Sequence, residues 1–400
     1  MDILCLMGLY PKEYLGSIQA YSTIPPQYAA DKHQWAIVEG LDQLVDVSIR
    51  IANSIYIGSY PKRYKKVTIP TFEFKHSDKA KGDINVGYCN LTGYKFYSRY
   101  ITTKKVIEKW AEEDNGEEKV LLTYALATPF CQLADYVKKH YKNIKVCTIA
   151  PDLPDFMDTA QKKNLRFCAK KVEIQLLKRA TKSVDGFIFL ADAMKEWFAN
   201  PVKYTVVEGV VSVTNEPSVS ADNRRKCVLY AGGIKKEYGV VDLVEAFIKA
   251  DNADWILEIY GGGDAEDEIK QLANGHENVV LKGFTPNSEV VEAQKTASIL
   301  VNPRKNQVFT KYSFPSKVLE YMASGTPMLA YKIDGIPEEY DPYYYHIEDK
   351  EEGFVESLKK VMSLSSDERC EMGERARRFV SEFKNPKHQA QKMIDFIKTL

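Results

Sequence analysis

Four hundred residues with 44% hydrophobic and 12% aromatic content can fill two or three domains, which excludes a disordered chain. The 55 Lys and Arg balance the 55 Asp and Glu, so no global charge draws the chain to nucleic acid. Seven scattered cysteines, without a C-x-x-C or a companion histidine cluster, read as reduced thiols and offer no zinc site.

In chain order, the opening MDILCLMGLYPKEY is broken by Pro11, Lys12 and Glu13 before a signal-peptide core can form, and no run of eighteen apolar residues follows. A cytoplasmic chain that does not span a membrane is expected. Short apolar runs then alternate with amphipathic stretches, the pattern of parallel sheets covered by helices. Strands are expected near Ile3–Met7, Gln34–Val38, Val120–Thr123, Lys145–Ile149, Gly186–Leu190 and Tyr204–Val207. The polar stretch 212–226 reads as a linker. The rhythm restarts near Cys227–Ala231, Ile256–Tyr260, Val279–Leu281, Ser298–Val301 and Met328–Tyr331. The expected architecture is therefore α/β: a first Rossmann-like domain over 1–211, the linker, a second over 227–378, and a closing helix over 379–400.

The most informative segment is SFPSKVLEYMASGTPMLA, residues 313–330. Pro315 presets a first helical turn, Val318, Leu319 and Met322 recur at helical spacing, and Gly325 suits the left-handed stop. Ser316 and Lys317 then sit where free N–H groups favour a phosphate, while Glu320, a turn further in, can accept hydrogen bonds from a sugar diol. Phosphates at one end and a diol at the other describe a nucleotide site. Upstream, YAGGIKKEYGVVDLVEAF brings Gly232 and Gly233, IYGGGDAEDEIKQL brings Gly262, and LVNPRKNQVFTKYSFPSK brings Arg304, each after an expected strand.

Taken together, these segments resemble the donor domain of a GT-B glycosyltransferase, and most closely glycosyltransferase family 4 of the bacterial polysaccharide-assembly type. The resemblance is strong over 227–345 and weaker in the first half, where TIAPDLPDFM, VDGFIFLADAMKEWF and YTVVEGVV occur in matching order. It implies two Rossmann-like domains facing across a cleft, with the C-terminal helix crossing back to the first. It also implies a nucleoside diphosphate sugar, by default a uridine one, on the second domain and a saccharide or polyprenyl-linked acceptor on the first. The anomeric configuration would be retained, and neither metal nor cofactor would be needed. The activity implied is that of a hexosyltransferase in surface polysaccharide assembly.

Carried onto this chain, the family's pair of glutamates separated by seven residues falls on Tyr312 and Glu320, so a tyrosine stands where the sugar-contacting glutamate is usual. An arginine and a lysine usual in the first glycine turn fall on Gly233 and Tyr238. Arg304, Lys317 and the Ser316 backbone are the expected substitutes at the diphosphate, whose departing charge needs cations or N–H donors. Asp152, in PDLPD, follows an expected strand end, where a carboxylate can orient an acceptor hydroxyl or take its proton, and by the same resemblance Gly16, in YPKEYLGS, would form a glycine loop under the phosphates.

Plainer roles remain open for each. The glycines suit any tight turn, Arg304 can pair with a carboxylate, Tyr312 can pack in the core, and Asp152 can cap a helix or close an Asx-turn before Pro154. The six histidines form no constellation. Residues 60–110 carry twelve Lys or Arg against four Asp or Glu, interleaved with six tyrosines, which suits an anionic membrane face or simply a solvated one. A non-catalytic GT-B subunit that binds a glycosyltransferase partner or acceptor, and a nucleotide-sugar epimerase, are the rival readings.

Overall fold

The computed structural model describes residues 1–155, 165–214 and 218–400, so parts of the expected TIAPDLPDFM match and of the linker lie outside the described residues. The chain divides into two compact units, Met1–Val210 with Pro386–Leu400, and Val211–Asn385.

The first unit runs β1 Asp2–Met7, α1 Lys12–Tyr21, α2 Tyr28–Asp42, β2 Ser48–Asn53, and a small-strand region of β3 Thr68–Ile69, β4 Phe72–Phe74, β5 Asp83–Asn85 and β6 Tyr88–Cys89. It continues through α3 Lys95–Glu112, β7 Lys119–Tyr124, α4 Phe130–His140, β8 Lys145–Ala150, α5 Leu165–Ala180, β9 Gly186–Phe189 and β10 Tyr204–Val206. Its eight-stranded sheet has the order β10-β9-β8-β7-β1-β2-β5-β4, parallel except where β4 meets β5. Ile3, Cys5, Met7, Ile49, Ile51, Val120 and Leu122 supply the buried layer that the helices cover.

The second unit runs β11 Arg225–Ala231, α6 Val240–Ala250, β12 Ile256–Tyr260, α7 Glu266–Leu272, β13 Val279–Gly283, α8 Asn287–Thr296 and β14 Ala297–Asn302. It closes with α9 Lys317–Ala323, β15 Met328–Tyr331, β16 Tyr345–Ile347, α10 Gly353–Ser363 and α11 Ser366–Phe383. The sheet is wholly parallel in the order β13-β12-β11-β14-β15-β16. That is the doubly wound order, which reverses between β11 and β14; ligands of such sheets bind beyond the strand carboxyl ends at that switch point.

Several expectations are corrected. Gln34–Val38 lies in α2, because Gln34, Ile37, Val38 and Leu41 bury at helical spacing. The second strand is instead Ser48–Asn53, whose apolar pattern Arg50 interrupts. Arg225 and Lys226 belong to β11, and Arg224 is no free linker residue, since its guanidinium donates to the carbonyls of Lys295, Ala297 and Gly325. Ser365 and Glu368 form a capping box that starts α11, which runs unbroken to Phe383 within the second unit. The helix that joins the first unit begins only at Pro386, as α12 Pro386–Lys398. Met393, Ile394 and Ile397 enter the first unit's core, and Gly40 in α2 lets the Pro386 backbone approach where a Cβ would collide. Among the described residues no helix is long and apolar enough to cross a membrane.

Candidate functional site

The carboxyl ends of β11 and β14 and the entry to α9 surround a hollow of about 200 Å³ lined by Tyr230, Tyr238, Asn302, Arg304 and residues 313–317. That is several times the ~30 Å³ one water occupies in the liquid. Tyr230 is the penultimate residue of β11, with its ring buried; its hydroxyl donates to the Gly233 carbonyl at 2.7 Å and accepts from Lys317 Nζ at 2.9 Å. Lys317 also lies over the Tyr230 ring, 4.2 Å from its centre. Its ammonium occupies the place where any Cβ on residue 232 would be, and Gly232 has φ +149°. Only glycine permits that approach. Tyr321, fully buried on α9, donates to the Ala231 carbonyl and accepts from the Ala231 N–H at 2.9 Å, which locks the helix to the strand end.

Arg304 leaves β14 by way of Pro303 and is held between two rings, 5.0 Å from the centre of Tyr238 and 4.8 Å from that of Phe309. Tyr238 in turn lies over Gly233, whose added Cβ would be 3.5 Å from the ring. The position where the sequence resemblance calls for a lysine thus carries an aromatic that positions the arginine from another loop.

The electrostatics are unusual. Burial lowers the Lys317 ammonium to about 7, Glu320 opposing and Arg304 reinforcing the drop. Burial likewise lowers Arg304, whose Nε is sequestered without a hydrogen-bond partner. Among the described residues neither cation has a carboxylate within ion-pair distance. Two partly desolvated cations beside one hollow are incomplete without an anion. Ser316 stands exposed at the start of α9, its hydroxyl uncommitted to a cap, and Glu320 is half-buried one turn on.

Arg304, Lys317, Ser316, Gly232 and Gly233 are therefore brought together. Gly262 lies in the neighbouring turn, where its carbonyl accepts from the Ile234 N–H at 3.0 Å, and Tyr312 ends a short turn with Lys311 over its ring; neither lines the hollow. Gly16 is a correction: it lies in α1, exposed and helical, because the helix starts directly after Pro11 and leaves no glycine loop. Asp152 follows β8 in the first unit, its carboxyl raised by burial, and makes no hydrogen bond with the described residues, so it closes no Asx-turn. Near it in chain topology, His33 Nδ1 meets the Tyr124 hydroxyl at 3.0 Å at the end of β7, burial lowers the ring to about 4, and Nε2 is sequestered without a partner. Tyr230 and Asn302 at strand ends, Tyr321 on a buried helix face and Phe309 in the loop after β14 are contributors to the hollow that sequence reasoning missed.

Residues 213–379 match the family model described as glycosyl transferases group 1. Sucrose-phosphate synthase from Thermosynechococcus elongatus superposes with a TM-score of 0.63 at 14% identity, covering 100% of this chain and 99% of that one. TarM of S. aureus gives 0.60 at 14% over 99% and 100%. The chain has the GT-B fold. In sequence, an exopolysaccharide phosphotransferase of Streptomyces coelicolor is 26% identical over 174 residues, 41% of this chain and 18% of that protein. TuaH of Bacillus subtilis, named for glycosyl transfer in teichuronic acid biosynthesis, is 26% identical over 147 residues, 35% of either chain. The chain thus spans about a fifth and about a third of the length of these curated relatives. Within the GT-B frame the hollow falls inside the matched 213–379 segment.

Proposed function

We propose that the chain is a family 4 type glycosyltransferase that moves a sugar from a nucleoside diphosphate sugar to a saccharide or lipid-linked saccharide, with retention, in bacterial surface polysaccharide assembly. The observation that carries this reading is the pair Arg304 and Lys317, both desolvated and unpaired with carboxylate, beside a hollow at the switch point of the second sheet. A diphosphate supplies the missing anion: Arg304 grips it with its free N–H groups, Lys317 and the Ser316 backbone add charge and donors, and Glu320 takes the ribose diol. As the sugar leaves, charge grows on the diphosphate, and the two cations are already in place to hold it without reorganisation. That is why the reading calls for no metal. The acceptor is assigned to the first unit, where Asp152 orients its hydroxyl while the donor phosphate takes the proton. Uridine is the first base to test: the solved structures of TarM and of the pneumococcal O-GlcNAc transferase GtfA, which share this fold, were obtained with UDP.

The test is a thermal-shift panel of UDP, GDP, dTDP and CMP with their sugar conjugates, followed by mass analysis with candidate acceptors. A ligand at a hundredfold over its Kd adds about 2.7 kcal/mol to stability. One nucleotide class should stabilise the wild type and fail on Arg304→Ala, and its sugar conjugate should be consumed only with an acceptor present. No stabilisation by any nucleotide would sink the reading and favour the non-catalytic subunit.

A further inference from the structure

The start of α3 is inside out. Of its first residues, Lys95 and Arg99 are buried, while Phe96 and Tyr97 and the preceding Leu91 and Tyr94 are 44–59% exposed. Lys95 donates to the Ile57 carbonyl, and Arg99 donates to the Ser54 hydroxyl at 2.8 Å and its carbonyl at 2.6 Å. An amphipathic helix in water turns its apolar residues inward; here the polar pair is spent on internal carbonyls and the aromatics are left outside.

The loops beside this turn continue the surface. Tyr60 bridges Leu91, Asn90 N–H donates to the Val67 carbonyl, and Thr23 is bonded to the backbone of Lys62 and Arg63, so 22–24, 60–67 and 90–97 are contiguous. Ile24 and Val67, 45% and 40% exposed, add apolar area, and the Tyr94 and Tyr97 rings pack with centroids 5.6 Å apart and planes tilted by 48°. Lys62, Arg63, Lys65 and Lys66 are exposed, and among the described residues none of the four has an ion-pair partner. The chain as a whole has as many acidic as basic residues, yet the segments 14–30, 54–72 and 84–107 contain no Asp or Glu at all.

We propose that this face, formed by residues 22–24, 60–67 and 90–97 of the first unit, rests on the surface of an anionic lipid bilayer. Aromatic and aliphatic side chains enter the headgroup layer, four unpaired cations meet its negative charge, and the absence of carboxylates removes the repulsion that a mixed surface would feel. The structure narrows the stretch 60–110 that the sequence marks: Tyr64 and Tyr88 are core residues and Lys95 and Arg99 are internal, so the face rests on the loops and the first turn of α3 alone. The proposal stands apart from the glycosyl-transfer reading, since none of these residues belongs to the second unit's hollow.

The experiment is flotation of the whole chain with vesicles of neutral phosphatidylcholine and with vesicles containing phosphatidylglycerol. The wild type should float with the anionic vesicles only, and less so as salt rises. Reversing Lys62, Arg63, Lys65 and Lys66 to Glu should lower the partition coefficient by about a hundredfold or more, and Tyr94→Ser with Tyr97→Ser by about tenfold or more. Both variants should keep the wild-type melting temperature and its response to nucleotide, which separates failed binding from failed folding. Should either variant unfold, Leu91→Ser and Lys66→Ser singly replace it. Equal flotation with neutral vesicles, no flotation of the wild type, variants that float like the wild type, or concentration-dependent self-association through this face would each overturn the proposal.

Discussion

Two buried charged clusters, one in each unit, are completed in opposite ways. In the first unit the His76 ring, 1% exposed, is held by Asp83 Oδ2 at 2.7 Å and by Asp42 Oδ1 at 3.3 Å. Asp83, wholly buried, also accepts from the backbone N–H of Ile51 and of His76. Every charge there has its counterpart within the fold, and the cluster ties β5 to β2 and to the end of α2. In the second unit Arg304 and Lys317 are desolvated with rings and a tyrosine hydroxyl for company, and among the described residues no carboxylate lies within ion-pair distance of either. A cluster that is internally neutralised serves stability, whereas one left short of an anion stores binding energy for a ligand.

The largest effect expected from breaking this contrast is on the first cluster. Asp83→Ala strands the His76 ring and two backbone donors, and should cost about 3–5 kcal/mol in denaturant unfolding while the nucleotide response of the surviving folded protein stays intact. The mirror experiment, Arg304→Ala, should leave folding stability unchanged or raised, because a strained cation is removed, and weaken nucleotide binding by about 1.5–3 kcal/mol, tenfold or more in Kd by titration calorimetry. A loss of folding stability in Arg304→Ala with unaltered binding would reverse the assignment of the two clusters.

How legible this was from sequence differs between the clusters for a physical reason. The segment 313–330 is local: Pro315, the spacing of Val318, Leu319 and Met322, and Gly325, which takes φ +74°, all act within a few residues, so helix, stop and strand appear where the residues put them. Five of the second sheet's six strands stand in largely apolar runs and are equally plain, whereas β16, three residues with a histidine at its centre, carries no such signal. The Arg304 cage is partly hidden. Tyr238 in sequence looks like a missing cation, and only the tertiary approach of two loops shows it stacking on Arg304. The His76 cluster is wholly hidden, since its members lie 34 and 7 residues apart with nothing local to join them, and reading the histidines as isolated was an error. Gln34–Val38 misleads because a run of four apolar residues after Gln34 fits strand and buried helix alike, until Leu41 is seen to share its face. Gly16, placed through resemblance rather than local physics, is helical, whereas Asp152, read from its place after a strand end, does follow β8.

A titration sharpens the second half of the comparison. With Lys317 lowered to about 7 by burial, a diphosphate binds best when the amine is charged. Affinity for a nucleotide sugar, whose diphosphate diester does not itself titrate in this range, should be nearly constant below pH 6.5. It should fall as the pH rises past 7, approaching about tenfold per pH unit. Lys317→Met should bind weakly at every pH, with the slope gone. A wild-type curve that is flat from 6 to 8.5 would mean that the ammonium does not meet the phosphates.

The smallest effect comes from the first cluster and has its own sign. Burial alone would lower the His76 imidazole, but the hydrogen bonds and charges of Asp83 and then Asp42 outweigh it and leave the ring above its usual 6.5. The folded state therefore holds the proton more tightly than the unfolded chain does. The resulting stabilisation is complete below pH 6.5 and disappears as the pH climbs through the folded value. The difference in unfolding free energy between wild type and His76→Gln should accordingly be larger at pH 5.5 than at pH 8.5, while nucleotide affinity shows no matching dependence in the variant pair. A difference that grows with pH would mean that the ring is buried neutral, and that the first cluster, like the second, is short of charge.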